Sequence, residues 1–427
     1  GRYGIIKMTG SSTRKPVTPL IWIVWLGAAL FYFYQFVLRV SPGIMAQDLM
    51  QAYQVTGCDL GLLGAYYYKA YAFMQIPLGL LLDRFGARKL LTLSCLIAAI
   101  GALVFAQAPL FEIAAFGRLL MGIGAACGFI GTLKIASQLF PPSMMGRIIG
   151  FTMVLGTLGA TFGGMPLGYL IEQLSWRGAM IVIALIGFVL ALFIFCSAKQ
   201  ATPQAQPGQT PSPKIIDSLI QVITSRQIWL VGLFGSLMYV PLAAIADLWG
   251  TLYIAEMYHI DRKVAAVVVS MIYVGVAVGS PITAYYSDYL RNRKIPMLIG
   301  ALGSLGVYLA ILWLGAVIPL KAMYIMMFLG GFCFTGQCLV FAIATESLPL
   351  HITGVAIGFI NTIVMLSGVI FEPLVGWLLD RSVTAGGVGT TKSFSVQDFS
   401  WALAPVPLSL LVALIVLKFI RESYPRS

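Results

Sequence analysis

Charge is what this sequence has least of. Asp, Glu, Lys and Arg together make up 10% of 427 residues, and only two histidines are present. A water-soluble protein of this length cannot clothe its surface with so few charges, so a soluble globular fold is excluded. His259 and His351 both fall between apolar runs, and no Ser-His pair or metal-ligating cluster lies within one, which argues against an intramembrane enzyme and a bound metal. No Gly-x-x-x-x-Gly-Lys nucleotide loop occurs, and no cofactor is expected. The six cysteines are scattered, five inside apolar runs, with no metal or redox spacing; only Cys58 is expected on an outer surface, and no disulfide framework is implied.

Apolar residues, at 59%, fill the gap. Windows of about 20 apolar residues give twelve spans: 20–42, 60–82, 90–107, 113–138, 147–170, 178–197, 228–255, 264–287, 296–316, 322–345, 355–379 and 398–419. The fold class is therefore an all-α polytopic membrane protein. The first run is too long and too aromatic for a cleaved signal, so it counts as a span. Gly1 to Lys7, ahead of Met8, read as a remnant of an expression vector. The net charge of +12 is not that of a nucleic-acid binder, because of where the charges fall. With both termini cytoplasmic, 17 of the 27 Lys and Arg lie in cytoplasmic segments, six outside and four within spans. That is the positive-inside bias, and it sets the expected orientation.

Pro203, Pro207, Pro211 and Pro213, set among Gln, Ala, Thr and Ser, cannot bury a core and mark a linker. The expected organisation is a cytoplasmic tail (1–15), a six-helix bundle (16–198), a cytoplasmic linker (199–225), a second six-helix bundle (226–420) and a tail (421–427). After the prolines, Ile215 to Thr224 alternates apolar and polar positions at helical spacing, as an interfacial helix or as an extension of span seven. An internal repeat supports the division. At an offset of 205, Tyr53–Lys89 aligns without a gap on Tyr258–Lys294, pairing Asp83 with Asp288 and Arg88 with Arg293. At an offset of 208, Pro141, Gly146, Gly150, Phe151, Gly168 and Glu172 pair with Pro349, Gly354, Gly358, Phe359, Gly376 and Asp380. Two similar halves are expected to face each other, with a solute between them at mid-membrane.

Gly79, Asp83, Arg84, Gly86, Arg88 and Lys89 fall in one short stretch between spans two and three. Gly79 allows close helix approach, Asp83 suits a neighbouring helix N-terminus, and the basic residues anchor the turn at the interface. The order resembles the signature of the major facilitator superfamily between its second and third helices. Arg118 with Gly122 and Gly124 resembles that superfamily's motif in span four. Gly156, Gly159, Gly163, Gly164, Pro166 and Gly168 resemble its glycine-and-proline motif in span five, although packing of small residues explains these equally well. The second half departs from the pattern, with Met326 at the place of Arg118 and Ala284 at that of Gly79. The resemblance implies twelve helices in two pseudo-symmetric bundles that rock about a central cavity. It also implies a gate in which Gly79 and Asp83 pack near Thr353 and Gly354, with Asp288 and Arg293 as the second copy. A monomer in a bacterial inner membrane is expected.

Each charge in a span costs about 2.5–3.5 kcal/mol on insertion scales, so each is a functional candidate. The first half carries Arg39, Lys69, Arg118 and Lys134; the second carries Asp247 and Glu372. Tyr32, Gln35 and Arg39 form one stripe of span one. Tyr66 and Lys69 in span two are expected at a similar depth, where Arg39 and Lys69 together hold a carboxylate or phosphate or else snorkel to the outer interface. Lys134 is turned about 160° from Arg118 and either lines the cavity or reaches the cytoplasmic surface. Asp247 follows Pro241, where a helix break would expose carbonyls. Asn361, Met365, Gly368 and Glu372 form one stripe of span eleven. Glu372, and after it Asp247, are the candidates for proton coupling, an ion pair with a basic residue being the alternative. Tyr273 and Gln337 are further candidates to touch substrate.

The expected function is secondary active transport of a small carboxylate-bearing solute, an organic anion or a zwitterion such as an amino acid or short peptide, coupled to protons. The run from Phe31 to Arg39 resembles span one of anion/proton symporters and of nutrient importers of intracellular bacteria; Gln35 stands where the symporters have Arg. Efflux of drugs or metabolites is the alternative, though it calls for acids in the first half. A non-transporting sensor on the same fold is another, and it calls for an output domain that seven residues after Ile420 do not supply.

Overall fold

The computed structural model describes residues 16–200, 215–382 and 394–425, which are helical without a strand. The expected amino-terminal tail and the prolines of the linker lie outside the described residues.

Twelve helices cross the bundle. They are α1 (Pro19–Ile44), α2 (Gly57–Phe85), α3 (Ala87–Gln107), α4 (Phe111–Leu139), α5 (145–174), α6 (176–197), α7 (Arg226–Tyr258), α8 (Arg262–Leu290), α9 (Lys294–Leu314), α10 (Leu320–Ser347), α11 (Thr353–Ser382) and α12 (Val396–Phe419). Among the described residues, ten stretches are long and apolar enough to cross a bilayer. One of them, Met145–Ser197, is divided at Ser175, whose φ of 66° and ψ of 169° interrupt the helix and separate α5 from α6. The less apolar α2, which carries three consecutive tyrosines, Lys69 and Gln75, completes the set.

Local sequence accounts for the helix starts. Thr56 and Asp59 cap α2 reciprocally, Ser395 and Asp398 do the same for α12, and Ser225 accepts from the Ile228 N–H at the start of α7. Ile215–Ile223 forms a separate helix before Ser225, not a continuation of α7. Gly86, at φ 79°, makes the tight turn from α2 to α3, a backbone state that L side chains avoid.

Both described ends of the chain lie on one side, here the base. There Gln227 donates to the Arg421 carbonyl at 2.8 Å and Glu422 accepts from the Arg293 N–H at 2.9 Å. The opposite side is the crown. The bundles α1–α6 and α7–α12 meet along α2 and α11, α1 and α7, and α5 and α8. The first of these contacts is the most extensive, and it depends on missing side chains. A Cβ on Gly64 would sit 2.2 Å from Glu372 Oε2, and one on Gly376 2.1 Å from the Gly57 carbonyl. Backbone contact this close is the attraction left to helices in lipid, where apolar surface gains little by leaving one hydrocarbon for another.

The crown is sealed across the bundles. Arg262 pairs with Asp48 at 2.5 Å, Lys263 pairs with Glu172, and Asp380 accepts the Gly57 and Cys58 N–H groups at 2.8 and 2.9 Å. At the base the same helices part. Among the described residues, nothing lies within 4 Å of a Cβ built on Gly79 or on Gly354.

Candidate functional site

Among the described residues, four side chains of the charged types are buried in the core: Arg39 on α1 at 5% exposure, Arg118 on α4 at 1%, Asp247 on α7 at 1% and Glu372 on α11 at 2%. None of the six ion pairs among the described residues joins any two of them. Burying unpaired charge is expensive, and neutral dipoles or rings meet Arg39, Arg118 and Asp247.

Arg39 is the centre. Its Nη1 donates to the Tyr239 hydroxyl of the other bundle at 2.9 Å, its Nη2 to Gln35 Oε1 at 3.3 Å, and its Nε has no partner among the described residues. The rings of Phe36, Tyr71, Tyr67 and Tyr68 surround the guanidinium at 4.7, 5.2, 5.7 and 5.9 Å. Gln35 is held in turn by the Tyr67 hydroxyl at 2.7 Å, and its Nε2 is likewise unpartnered among the described residues. The stripe Tyr32, Gln35 and Arg39 therefore faces inward as a unit, with Tyr32 against α5 at the Gly156 notch.

Across the interface, Asp247 accepts from the Tyr273 hydroxyl through Oδ1 and leaves Oδ2 without a partner among the described residues. Its position depends on Leu242–Trp249, which winds as a π-helix. The expected break after Pro241 is absent: the helix widens rather than opening its carbonyls, and wide turns of this kind recur at functional sites. Glu372 Oε2 is unpartnered in the same sense and lies against Gly64, while the Glu372 carbonyl accepts from Trp249 Nε1 at 3.0 Å. Arg118 Nη1 donates to the Leu38 carbonyl at 2.7 Å, and its guanidinium lies 4.7 Å from the Tyr67 ring, so one tyrosine separates the two arginines.

The stripe of α11 faces α2 along its length. Asn361 donates to Gln75 at 2.8 Å, and Gly368 receives the Tyr68 ring. Gln337 is buried but is spent within its own bundle, donating to the Gly235 carbonyl of α7 at 3.2 Å.

Two sets of candidates stand outside this cluster, as one of the alternatives for each allowed. Lys69 is exposed, and Tyr66 half-buried, on the outer flank of α2 that also carries Leu62 and Phe73. Neither joins Arg39, because the helix turns Tyr67 and Tyr68 inward instead. Lys134 is likewise not in the site: it reaches the base and pairs with Asp83 at 3.7 Å.

At the turns, Asp83 and Arg84 are exposed, and Arg88 donates to the Phe195 carbonyl at 3.0 Å. In the second copy, Asp288 and Arg293 pair at 2.9 Å. Sequence reasoning misses Tyr239, Tyr67, Tyr71 and Gln75. Their one signal is a hydroxyl or amide on a helix that also carries a buried charge or packs against one.

Two helical bundles closing on a buried, unpaired set of charges define a membrane protein built to carry solutes, not an enzyme. The chain belongs to the Major Facilitator Superfamily, whose sequence model matches residues 24–372. It is 26% identical to the membrane sensor protein UhpC of Salmonella typhimurium over 94% of this chain and 91% of that protein. It is 22% identical to a hexuronate transporter of Bacillus subtilis over 90% and 95%. Among solved structures it resembles a bacterial homologue of the human lysosomal transporter Spinster in an inward-facing, unoccupied conformation. The TM-score is 0.72 at 15% identity, covering 95% of this chain and 96% of that one, a likeness of fold alone.

Proposed function

We propose that this protein is a proton-coupled secondary transporter of a small carboxylate-bearing solute, with a sugar acid as the first candidate. Arg39 carries the reading: a buried guanidinium at the meeting of the bundles whose partners are all uncharged and whose Nε is free among the described residues. Such a group gains most from a carboxylate, which a guanidinium binds through two parallel charge-assisted bonds. The hexuronate transporter among the relatives supports an acid of sugar size. Asp247 and Glu372 stand opposite, each with one free oxygen, and they are the groups to take up the proton or to meet the amine of a zwitterion. The positive-inside distribution supports a cytoplasmic base, and with that orientation the sealed crown and parted base correspond to a carrier open inward.

The test is binding of D-glucuronate and of neutral D-glucose to purified protein, with and without Arg39→Gln. D-glucuronate alone is expected to raise the melting point, and Arg39→Gln to abolish the rise. A ligand indifferent to Arg39 defeats the reading.

Similarity to a membrane sensor protein favours a second reading, sensing without net transport. Uptake of labelled D-glucuronate into proteoliposomes separates the two, since a sensor binds without accumulating.

A further inference from the structure

A guanidinium carries five N–H donors. One of those on Arg39 goes to Tyr239, 200 residues away and on the opposite bundle. Tyr239 is 6% exposed, two residues before Pro241, and its ring meets Tyr68 on α2 and Phe334 on α10. Its one mark in the sequence is that it shares α7 with Asp247.

We propose that Tyr239 is a built-in surrogate for the solute. Its hydroxyl occupies a donor of Arg39 when no anion does, so it sets the affinity for the anion and lets the empty carrier change sides. This rests on Arg39 being the anion site.

The argument follows from what the empty carrier must do. To return, its bundles must close around Arg39 with no anion there, and a buried guanidinium left short of acceptors opposes that closure. The bond is made here with the crown sealed and the base parted, so the opposite bundle supplies the acceptor wherever the two bundles meet at Arg39. A neutral phenol also has suitable strength. A carboxylate from solute makes charge-assisted bonds roughly twice as strong and displaces it, whereas a carboxylate fixed at position 239 would exclude the solute. Tyr239 thus lowers apparent affinity by the fraction of time it holds Arg39. Phe36 and Tyr273, whose rings also meet across the bundles, make no such bond to Arg39 and cannot replace it.

The probe is D-glucuronate, measured by calorimetric binding, by net uptake into empty proteoliposomes and by counterflow into preloaded ones. Tyr239→Phe keeps the ring and removes the acceptor. It is expected to bind D-glucuronate roughly 2- to 10-fold more tightly, the worth of one net hydrogen bond. It should lose most net uptake and far less counterflow, which needs no empty return. Tyr239→Gln restores an acceptor and is expected to recover net uptake, which separates loss of the bond from loss of packing.

Weaker or unchanged binding by Tyr239→Phe overturns the proposal, as does an equal fall in net uptake and counterflow. If Arg39→Gln loses binding while Tyr239→Phe matches wild type, only the surrogate role fails. If Arg39→Gln binds as wild type does, or wild type binds no D-glucuronate, the anion site itself fails and this inference with it.

Discussion

The charged turn occurs twice in this chain, at the same register, and the two copies do opposite things. In the second, Arg293 is gripped from three directions. It pairs with Glu346 at 2.7 Å and Asp288 at 2.9 Å, lies 4.8 Å from the Tyr424 ring, and gives its backbone N–H to Glu422. Arg293 and Glu346 are only 13% and 14% exposed. In the first copy Asp83 is 73% exposed and its one cation among the described residues, Lys134, is 3.7 Å away at 41% exposure. Similar sequences have thus become a fastener and an unfastened latch. The cause lies outside the motif: the second copy has Glu346 and the carboxyl-terminal tail within reach, and the first has no such acids among the described residues.

Removing the fastener should cost the most. Arg293→Ala strands the largely buried Glu346 and frees the exposed Asp288, and is expected to lower stability by about 2–3 kcal/mol, the worth of hydrogen bonds to a charged, largely buried group. Arg88→Ala removes one exposed bond to a carbonyl and a stack on the Phe195 ring at 4.2 Å, and should cost about 1 kcal/mol. Melting of the two variants side by side checks this, and equal losses would erase the distinction between the copies.

The crown supplies the next test. Asp380 holds two N–H groups at the start of α2, so Asp380→Asn should loosen the crown by about 1–2 kcal/mol, or roughly 5- to 30-fold in the open population. Cys58 sits at that joint and reports its opening. With Cys196 replaced by Ser, alkylation of Cys58 by a water-soluble maleimide should accelerate by that factor in Asp380→Asn. No change would mean that the two ion pairs of Arg262 and Lys263 hold the crown alone.

Asp83→Asn should have a smaller effect at the base. Asp83 lies in the last turn of α2 and pairs with Lys134 while the base is parted; docking on the α11 N-terminus when the base closes would contribute about 0.3–1 kcal/mol, a bias and not a lock. Net uptake is expected to fall roughly 2- to 5-fold with little change in affinity. A change in affinity alone would place Asp83 outside the gate.

Much of the architecture is legible in the amino-acid sequence. Hydropathy marks the spans, the repeat points to two facing bundles, and the cost of charge in a bilayer picks out Arg39, Arg118, Asp247 and Glu372, all of which prove buried at the core. Phase and reach are what it does not carry. Tyr66, Tyr67 and Tyr68 are consecutive, so they hold no period that says which one turns inward, and a choice one residue early places Tyr66 and Lys69 in the site. The pairing of Lys134 with Asp83 joins different helices at the base, and the bond of Arg39 to Tyr239 joins different bundles. No local pattern encodes either. The π-helical stretch Leu242–Trp249 misleads for a related reason: a proline signals a disturbance in a helix without saying whether it opens or widens.

The smallest effect concerns the tail that makes the fastener complete. Partial burial pushes the Glu422 carboxyl up, but the backbone N–H groups of Arg293, Lys294, Tyr424 and Ser423 outweigh it and hold the group below its ordinary range. A carboxyl depressed in the folded state adds stability that is present above its unfolded value, about 4.3, and lost as pH falls through the folded value. The tail should therefore stay docked from about pH 5 to 8 and release only below about pH 4. A spin label on Pro425→Cys should be immobile across the neutral range and mobile in acid, whereas Glu422→Gln frees it in part at every pH. Release between pH 5 and 7 would mean that another group holds the tail. The first copy of the turn, with no acid in Glu422's place among the described residues, should show no matching transition in a label set beside Arg88.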